Sequence, residues 1–424
     1  MSLHTLFYLV IVFIGWAASI FLNPLWGLLT YVFVYFNIPQ CQWWGYQVPD
    51  IRWSLTSAII LVISCLLHYQ SLSKIKLISI KSLKWLTALL ILMIIISPSS
   101  PCPETWRRVY DFSRYLAIFI LIVKVIKDYQ GYKYFIWLFL GEILYLSYLA
   151  HYYFRGGRLD GIGTPDATNA NMFAALLLTS IPLLGNLILY GKKVEKIGAL
   201  LAIPVIINAF IMCASRGAFI GLVCMLIAMI ITADKKVRKY MMTIGVIIAI
   251  SLYFLIDETY KRRLATLFHT HSIASAKEVS SGRFEIWQYG LKMLKDYPFG
   301  TGGGGFMYLS PLYLPKRLIE PTVGQRASHN TYLMVLIEQG PLGLVLFLGF
   351  LLSIFKSLHK IKQKVLFLED KKHLYYESLA IQSSLIGLLT ASFFVDRLYF
   401  EVLYWLCALA VVVEYMVKKV QNIE

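Results

Sequence analysis

The chain has 424 residues, 58% of them hydrophobic, and a mean hydropathy of +0.66. Apolar runs of this number and length are too many for one soluble core and suit helices that cross a bilayer. A net charge of +17 would suggest nucleic acid in a soluble protein, but membrane topology and acidic lipid headgroups account for it here, so no nucleic-acid partner is expected.

Taken in chain order, hydropathy predicts spans near residues 5–22, 24–38, 54–68, 85–98, 111–127, 133–152, 169–190, 196–213, 216–233, 240–256, 329–355, 376–394 and 399–417. The expected fold class is all-α, a polytopic transmembrane helical bundle of 12 or 13 spans. The two counts differ at the Asn23-Pro24 break, which allows residues 5–38 to form either two crossings or one kinked crossing. Residues 1–22 lack a basic n-region and an Ala-x-Ala-like site, so they read as a span rather than a cleaved signal peptide.

The basic residues sort by type. Twenty-one of the 26 lysines, among them Lys74, Lys192, Lys235, Lys236, Lys360, Lys371 and Lys418, fall in one alternating set of connections. Thirteen of the 14 arginines fall in the other: Arg52, Arg107, Arg108, Arg114, Arg155, Arg158, Arg216, Arg262, Arg263, Arg283, Arg317, Arg326 and Arg397. By the positive-inside rule the lysine side is cytoplasmic, which puts the C-terminus inside and the long stretch 257–328 outside. The expected organisation is N-terminal transmembrane helices over 1–256, an outer loop over 257–328 and C-terminal transmembrane helices over 329–424, all within one membrane domain. Outer arginines run against the sorting rule, so they either pair with outer acids such as Asp111, Asp160 and Asp396 or serve a ligand. A planar guanidinium fork matches phosphate bidentately, which makes a phosphate-bearing lipid the expected ligand.

Within the outer loop, Phe284, Trp287, Leu291 and Leu294 recur at helical spacing over 283–295 and predict an amphipathic helix lying on the membrane surface. The glycine-rich run 300–305 follows, and reads either as a hinge that opens the loop or as a tight return beneath the helix. It lacks the Gly-Lys-Ser/Thr ending of a nucleotide-binding loop. The six cysteines and the histidines form no metal-ligand spacing, so no metal and no cofactor are expected; Cys41 and Cys102 both fall outside, where a disulfide is permitted.

Three residues from separate segments meet the outer boundary: Arg216 at the start of its span, Arg283 at the start of the loop helix, and His329 at the start of the next span. Two cations and a titratable group at one depth suit phosphoester chemistry, with His329 as either a base or an interfacial hydrogen-bonder. Glu338, deep in its span, is expected to meet a partner in the bundle or at the Gly340-Pro341-Gly343 break.

The series Ser215-Arg216-Gly217, Arg283…Trp287…Asp296-Tyr297-Pro298-Phe299-Gly300 through Phe306, and His329-Asn330-Thr331-Tyr332-Leu333…Glu338-Gln339-Gly340…Gly343 resembles the shared core of the O-antigen ligase and O-antigen polymerase superfamily. That superfamily includes the bacterial protein O-oligosaccharyltransferases, and the resemblance covers roughly residues 165–350. It implies an integral-membrane, metal-independent glycosyltransferase of the bacterial inner membrane, using an undecaprenyl-diphosphate-linked glycan at its periplasmic face. By the resemblance, Arg216 and Arg283 bind the donor diphosphate and His329 activates the acceptor hydroxyl; Asn330, Arg158 and Arg326 are further candidate substrate-binding residues. A ligase acting on a lipid A-core acceptor fits the single large loop best. Polymerase and protein glycosylation are the alternatives within the family, and a flippase of lipid-linked sugars is the alternative outside it.

Overall fold

The computed structural model describes residues 1–234, 237–239, 282–365 and 372–420. These form α1 (Leu3–Phe21), α2 (Pro24–Phe36), α3 (Trp53–Leu67), α4 (Lys81–Ile96), α5 (Thr105–Val125), α6 (Tyr129–Tyr153), α7 (Ala170–Tyr190), α8 (Lys193–Met212) and α9 (Arg216–Thr232). They continue with α10 (Arg283–Asp296), α11 (Gly305–Tyr313), α12 (Thr331–Val365), α13 (Lys372–Ala391) and α14 (Glu401–Val420), and no strand occurs among the described residues. The predicted span 240–256, loop residues 257–281 with Arg262 and Arg263, and Lys235, Lys236 and Lys371 lie outside the described residues.

Local sequence explains where the helices begin. Asn23, Asp128, Asn169 and Ser215 each accept a backbone N–H of the following first turn, capping α2, α6, α7 and α9. Pro24 occupies the first turn of α2, where its missing N–H costs nothing. The chain therefore reverses at Asn23: Ser2 N and Thr5 Oγ1 both donate to Gln47 Oε1, at 2.6 and 2.9 Å, placing the start of α1 beside the segment after α2. A Cβ on Gly27 would meet that of Ser19 at 3.0 Å, so small residues close this hairpin. The N-terminal segment is thus two packed helices and not one kinked rod.

α14 runs through the centre. Every residue from Glu401 to Val413 is buried, the pattern of a helix apolar on all sides. Trp405 is its anchor, 1% exposed and met edge-on by Tyr35, Phe36 and Phe135. α13 packs against α7 and α9, α12 against α4, and α14 against α5. Large apolar side chains such as Ile14, Leu66, Leu201, Ile231 and Leu352 remain exposed around the outside, as lipid-facing residues do. Six of the described helices are long and apolar enough to cross a bilayer, and the molecule is a polytopic helical membrane protein.

One break positions the rest. α12 is kinked at Gly340, whose φ of 68° only glycine adopts readily, and Pro341 follows. The glycine run fills the break: Thr301 N donates to Ile337 O and Gly302 N to Glu338 O, both at 2.9 Å. A Cβ on Gly300 would meet Glu338 O at 2.6 Å, and one on Gly340 would meet Phe299 C at 2.7 Å. Ser100 Oγ donates to Thr301 O at 2.6 Å and Thr105 Oγ1 to Gly303 O at 3.1 Å, tying the run to the start of α5. The run is a buried, pinned return and not an open hinge, because carbonyls freed by the kink need its N–H groups.

Candidate functional site

The site begins where α8 ends and α9 starts. Ala214 takes φ of 45°, turning the chain so that Ser215 caps α9 and Arg216 is its first residue. Ser215 Oγ donates to Asn171 Oδ1 at 2.9 Å, and Arg158 Nη2 donates to the same oxygen at 2.8 Å. Arg158 Nε also donates to Cys213 O at 3.1 Å, locking the loop after α6 to the turn before α9. Gly217 has no Cβ because Phe394 is there; an added one would meet that side chain at 2.6 Å.

Phe394 serves a second residue. The Arg283 guanidinium carbon lies 5.8 Å from its ring centroid, so one aromatic side chain abuts α9 and carries the cation that opens α10. Burial lowers the Arg283 guanidinium to about 10, and the charges of Arg216, Arg158 and Arg326 push in the same direction, with Asp396 opposing them. Four arginines from four separate segments therefore share one field. Arg326 N donates to Ser310 Oγ at 2.8 Å, and its Nε is buried with no hydrogen-bond partner among the described residues.

α10 forms over the predicted residues, but another face carries the packing. Ile286, Gly290 and Met293 are buried against Phe306, Leu309 and Ile337, while Phe284 and Leu291 are exposed. A Cβ on Gly290 would meet Phe306 at 2.7 Å, and that close approach docks the helix on α11 and α12. Trp287 belongs to neither set alone: it packs at the edge of this cluster and its Nε1 donates to Ser328 O at 3.0 Å. The helix thus reaches the His329 segment directly.

His329 adopts φ of 50°, a left-handed conformation unusual outside glycine. Asp396 holds it there: its carboxylate accepts from Ser328 Oγ at 2.7 Å, Asn330 N at 3.0 Å and His329 N at 3.3 Å. The imidazole itself makes no hydrogen bond among the described residues. Burial lowers its pKa below the usual 6.5, Arg283 and Arg326 push the same way, and Asp396 and Glu320 oppose them. Its ordinary state at pH 7 is the neutral base. Asn330 has a different task, since its Oδ1 accepts from Tyr332 N and Leu333 N at 3.0 and 3.1 Å and caps α12.

Behind the site stands a compensated charge. Thr331 Oγ1 donates to Val395 O at 2.7 Å and accepts from Arg397 N at 2.8 Å. The Arg397 side chain forms an ion pair with Asp166, whose other oxygen accepts from Tyr35 OH at 2.5 Å. Other arginines are likewise paired: Arg114 with Asp111 at 3.5 Å, and Arg317 with Glu285. Glu338 is 2% exposed and accepts from Tyr399 OH at 2.8 Å, beside the kink as expected.

Arg158, Arg216, Arg283, Arg326 and His329 thus come together, with Asn330 in a capping position next to them. Two organising residues carried no signal in the sequence. Asn171 looks like a helix-start amide, and Phe394 like one more apolar residue at the end of a span. Cys41 is exposed and Cys102 buried, and both are free thiols.

The fold is a helical membrane bundle, and one end of it gathers guanidinium groups beside a buried histidine. Residues 199–348, from α8 to the middle of α12, match the family model described as O-Antigen ligase. This match supports a likeness to the O-antigen ligase and polymerase superfamily, whose members are glycosyltransferase-like. It spans Arg216, Arg283 and His329, while Arg158 and Asp396 lie beyond it. No curated protein matches the chain.

Proposed function

We propose that the protein is an O-antigen ligase that moves a glycan from undecaprenyl diphosphate to a hydroxyl of a lipid A-core acceptor at the periplasmic face of the bacterial inner membrane. The observation that supports this reading best is the convergence of Arg158, Arg216, Arg283 and Arg326 from four segments beside His329, where burial first and then the neighbouring guanidinium charges weaken the hold of Arg283 on its proton. Like charges held together at a membrane boundary are costly, and a diphosphate relieves the repulsion through bidentate hydrogen bonds.

The chemistry follows from the groups at hand. The acceptor oxygen attacks the anomeric carbon as His329 takes its proton, and the carbon–oxygen bond to diphosphate breaks. The electron pair leaves with undecaprenyl diphosphate, whose charge the arginines hold. Asp396 fixes the backbone of residues 328–330 and so aims the imidazole. In this reading the guanidinium groups supply the charge stabilisation and no metal enters. The lysine-bearing ends, including the C-terminus, face the cytoplasm.

Purified protein given an undecaprenyl-diphosphate-linked glycan and lipid A-core tests the proposal. The expected product is glycan joined to the core, with free undecaprenyl diphosphate released. Glycan lengthened on the undecaprenyl carrier, with the core untouched, would make the protein a polymerase instead.

A further inference from the structure

At the end of the bundle that bears the lysines, a cavity of about 590 Å³ opens between α4, α12 and α14. It has no part in the chemistry above. Its wall on α12 is a single helical stripe: Val345, Leu348 and Leu352 on the apolar side, then Ser353, Lys356 and Lys360 one and two turns further on. α4 contributes Lys81 and Trp85 from its first turns, and α14 contributes Glu414 and Lys418 from its last. Three helices therefore bring their polar ends to one mouth and their apolar flanks to one groove.

The charges do not cancel within the cavity. Glu414 pairs with Lys418 at 2.7 Å and also accepts from Ser357 Oγ. Lys81, Lys356 and Lys360 have no ion-pair partner among the described residues, and all three are exposed. The groove below them is apolar and open, with Val345 58% and Leu352 57% exposed. Trp85 lies flat on Gly349, where an added Cβ would meet its ring at 2.8 Å, and an indole at this level marks the border between headgroups and chains. A cationic mouth continuous with an apolar groove complements one kind of molecule, an anion joined to acyl chains.

We infer that this cavity is a binding site for an anionic phospholipid of the surrounding leaflet, with the phosphate held among Lys81, Lys356 and Lys360 and an acyl chain laid along Leu348 and Leu352. The lipid would hold the start of α4 against the latter half of α12, at the end of the bundle away from the arginine cluster. A free phosphate would satisfy the lysines and leave the groove bare; a zwitterionic lipid would fill the groove and leave the lysines uncompensated.

Native mass spectrometry of the full chain in detergent, titrated with phosphatidylglycerol, phosphatidylcholine or inorganic phosphate, separates these cases. Phosphatidylglycerol should bind wild type, and the triple change K81Q/K356Q/K360Q should weaken it by about tenfold or more, since each lysine near an anionic surface contributes on the order of 1 kcal/mol. The control K192Q/K193Q, at a different connection, should bind as wild type does. Leu352→Glu, which places a carboxylate in the groove and leaves the lysines intact, should weaken phosphatidylglycerol binding as well. Equal binding of phosphatidylglycerol by wild type and the triple variant would overturn the inference. So would equal binding of phosphatidylcholine, or displacement of phosphatidylglycerol by millimolar inorganic phosphate.

Discussion

Arg397 and Arg283 are both withdrawn from solvent near the same end of the bundle, and the fold treats them in opposite ways. Arg397 is 1% exposed and meets Asp166, which Tyr35 braces from the other side, and its Nη2 donates to Met172 O. Arg283 lies over the Phe394 ring in the field of Arg216, Arg158 and Arg326, and the nearby carboxylate of Asp396 is occupied by Ser328, His329 and Asn330. A charge needed for architecture comes with its counterion in the sequence. In the proposed function, the clustered guanidinium groups meet a counterion that the substrate brings.

The sharpest way to break that comparison is to remove one member of each set. Asp166→Ala strands a buried guanidinium and should cost about 3–5 kcal/mol, enough to abolish a monodisperse protein on size exclusion in detergent. Arg283→Ala removes a repulsion and should leave the melting temperature unchanged or higher while kcat/KM for transfer falls by about 10- to 100-fold. Comparable loss of folded protein in both would make the arginine cluster architectural.

Next in size comes His329. His329→Ala should slow the chemical step by on the order of 10²–10⁴-fold while donor binding survives. His329→Gln keeps a hydrogen bond without the proton exchange and should be nearly as slow. Near-wild-type transfer by the Gln variant would leave the residue an orienting role and move the base to a carboxylate such as Asp160.

Arg216→Lys retains charge and loses the planar fork. Losing one charge-assisted hydrogen bond should cost about 10- to 100-fold in kcat/KM for the lipid-linked donor. Arg114→Lys, whose parent already pairs with Asp111, should transfer at the wild-type rate. Equal effects of the two would remove the special role proposed for Arg216.

Most of the fold was legible because hydrophobic runs and capping residues are local signals. Asn23-Pro24, Asn169 and Ser215 mark helix starts within a residue or two of where they occur. α5 begins at Thr105 and not near 111 because Arg107, Arg108, Asp111 and Arg114 in its first turns mask the helix from a hydropathy window. The face that α10 buries against α11 and α12 has no such local signal. Phe284 and Leu291 are larger than Gly290, yet it is Gly290 that permits close approach to Phe306, and such a fit has no periodicity to read. That Arg216, Arg283 and His329 lie near one another is legible from residue type and depth, whereas Asn171 and Phe394 act through partners far away in sequence. The pairing of Arg397 with Asp166 is of the same distant kind.

A smaller effect sharpens the role of the cluster as a regulator of its histidine. Because burial and the arginines hold His329 below the usual 6.5, the imidazole is a neutral base at pH 7 and becomes protonated only at lower pH. The acid limb of the kcat/KM profile should therefore fall below pH 6.5, move toward higher pH in Arg283→Ala, and vanish in His329→Gln. A limb unmoved by Arg283→Ala would separate the histidine from the field of the arginines.

The central claim is that the arginine cluster holds a diphosphate, and the most direct test is equilibrium binding of undecaprenyl diphosphate to the purified protein in nanodiscs. Wild type should bind it while undecaprenol fails to compete, and Arg283→Ala, folded by its melting curve, should bind about 10- to 100-fold more weakly. Equal affinity of wild type and Arg283→Ala for undecaprenyl diphosphate, or equal competition by undecaprenol, would contradict the account.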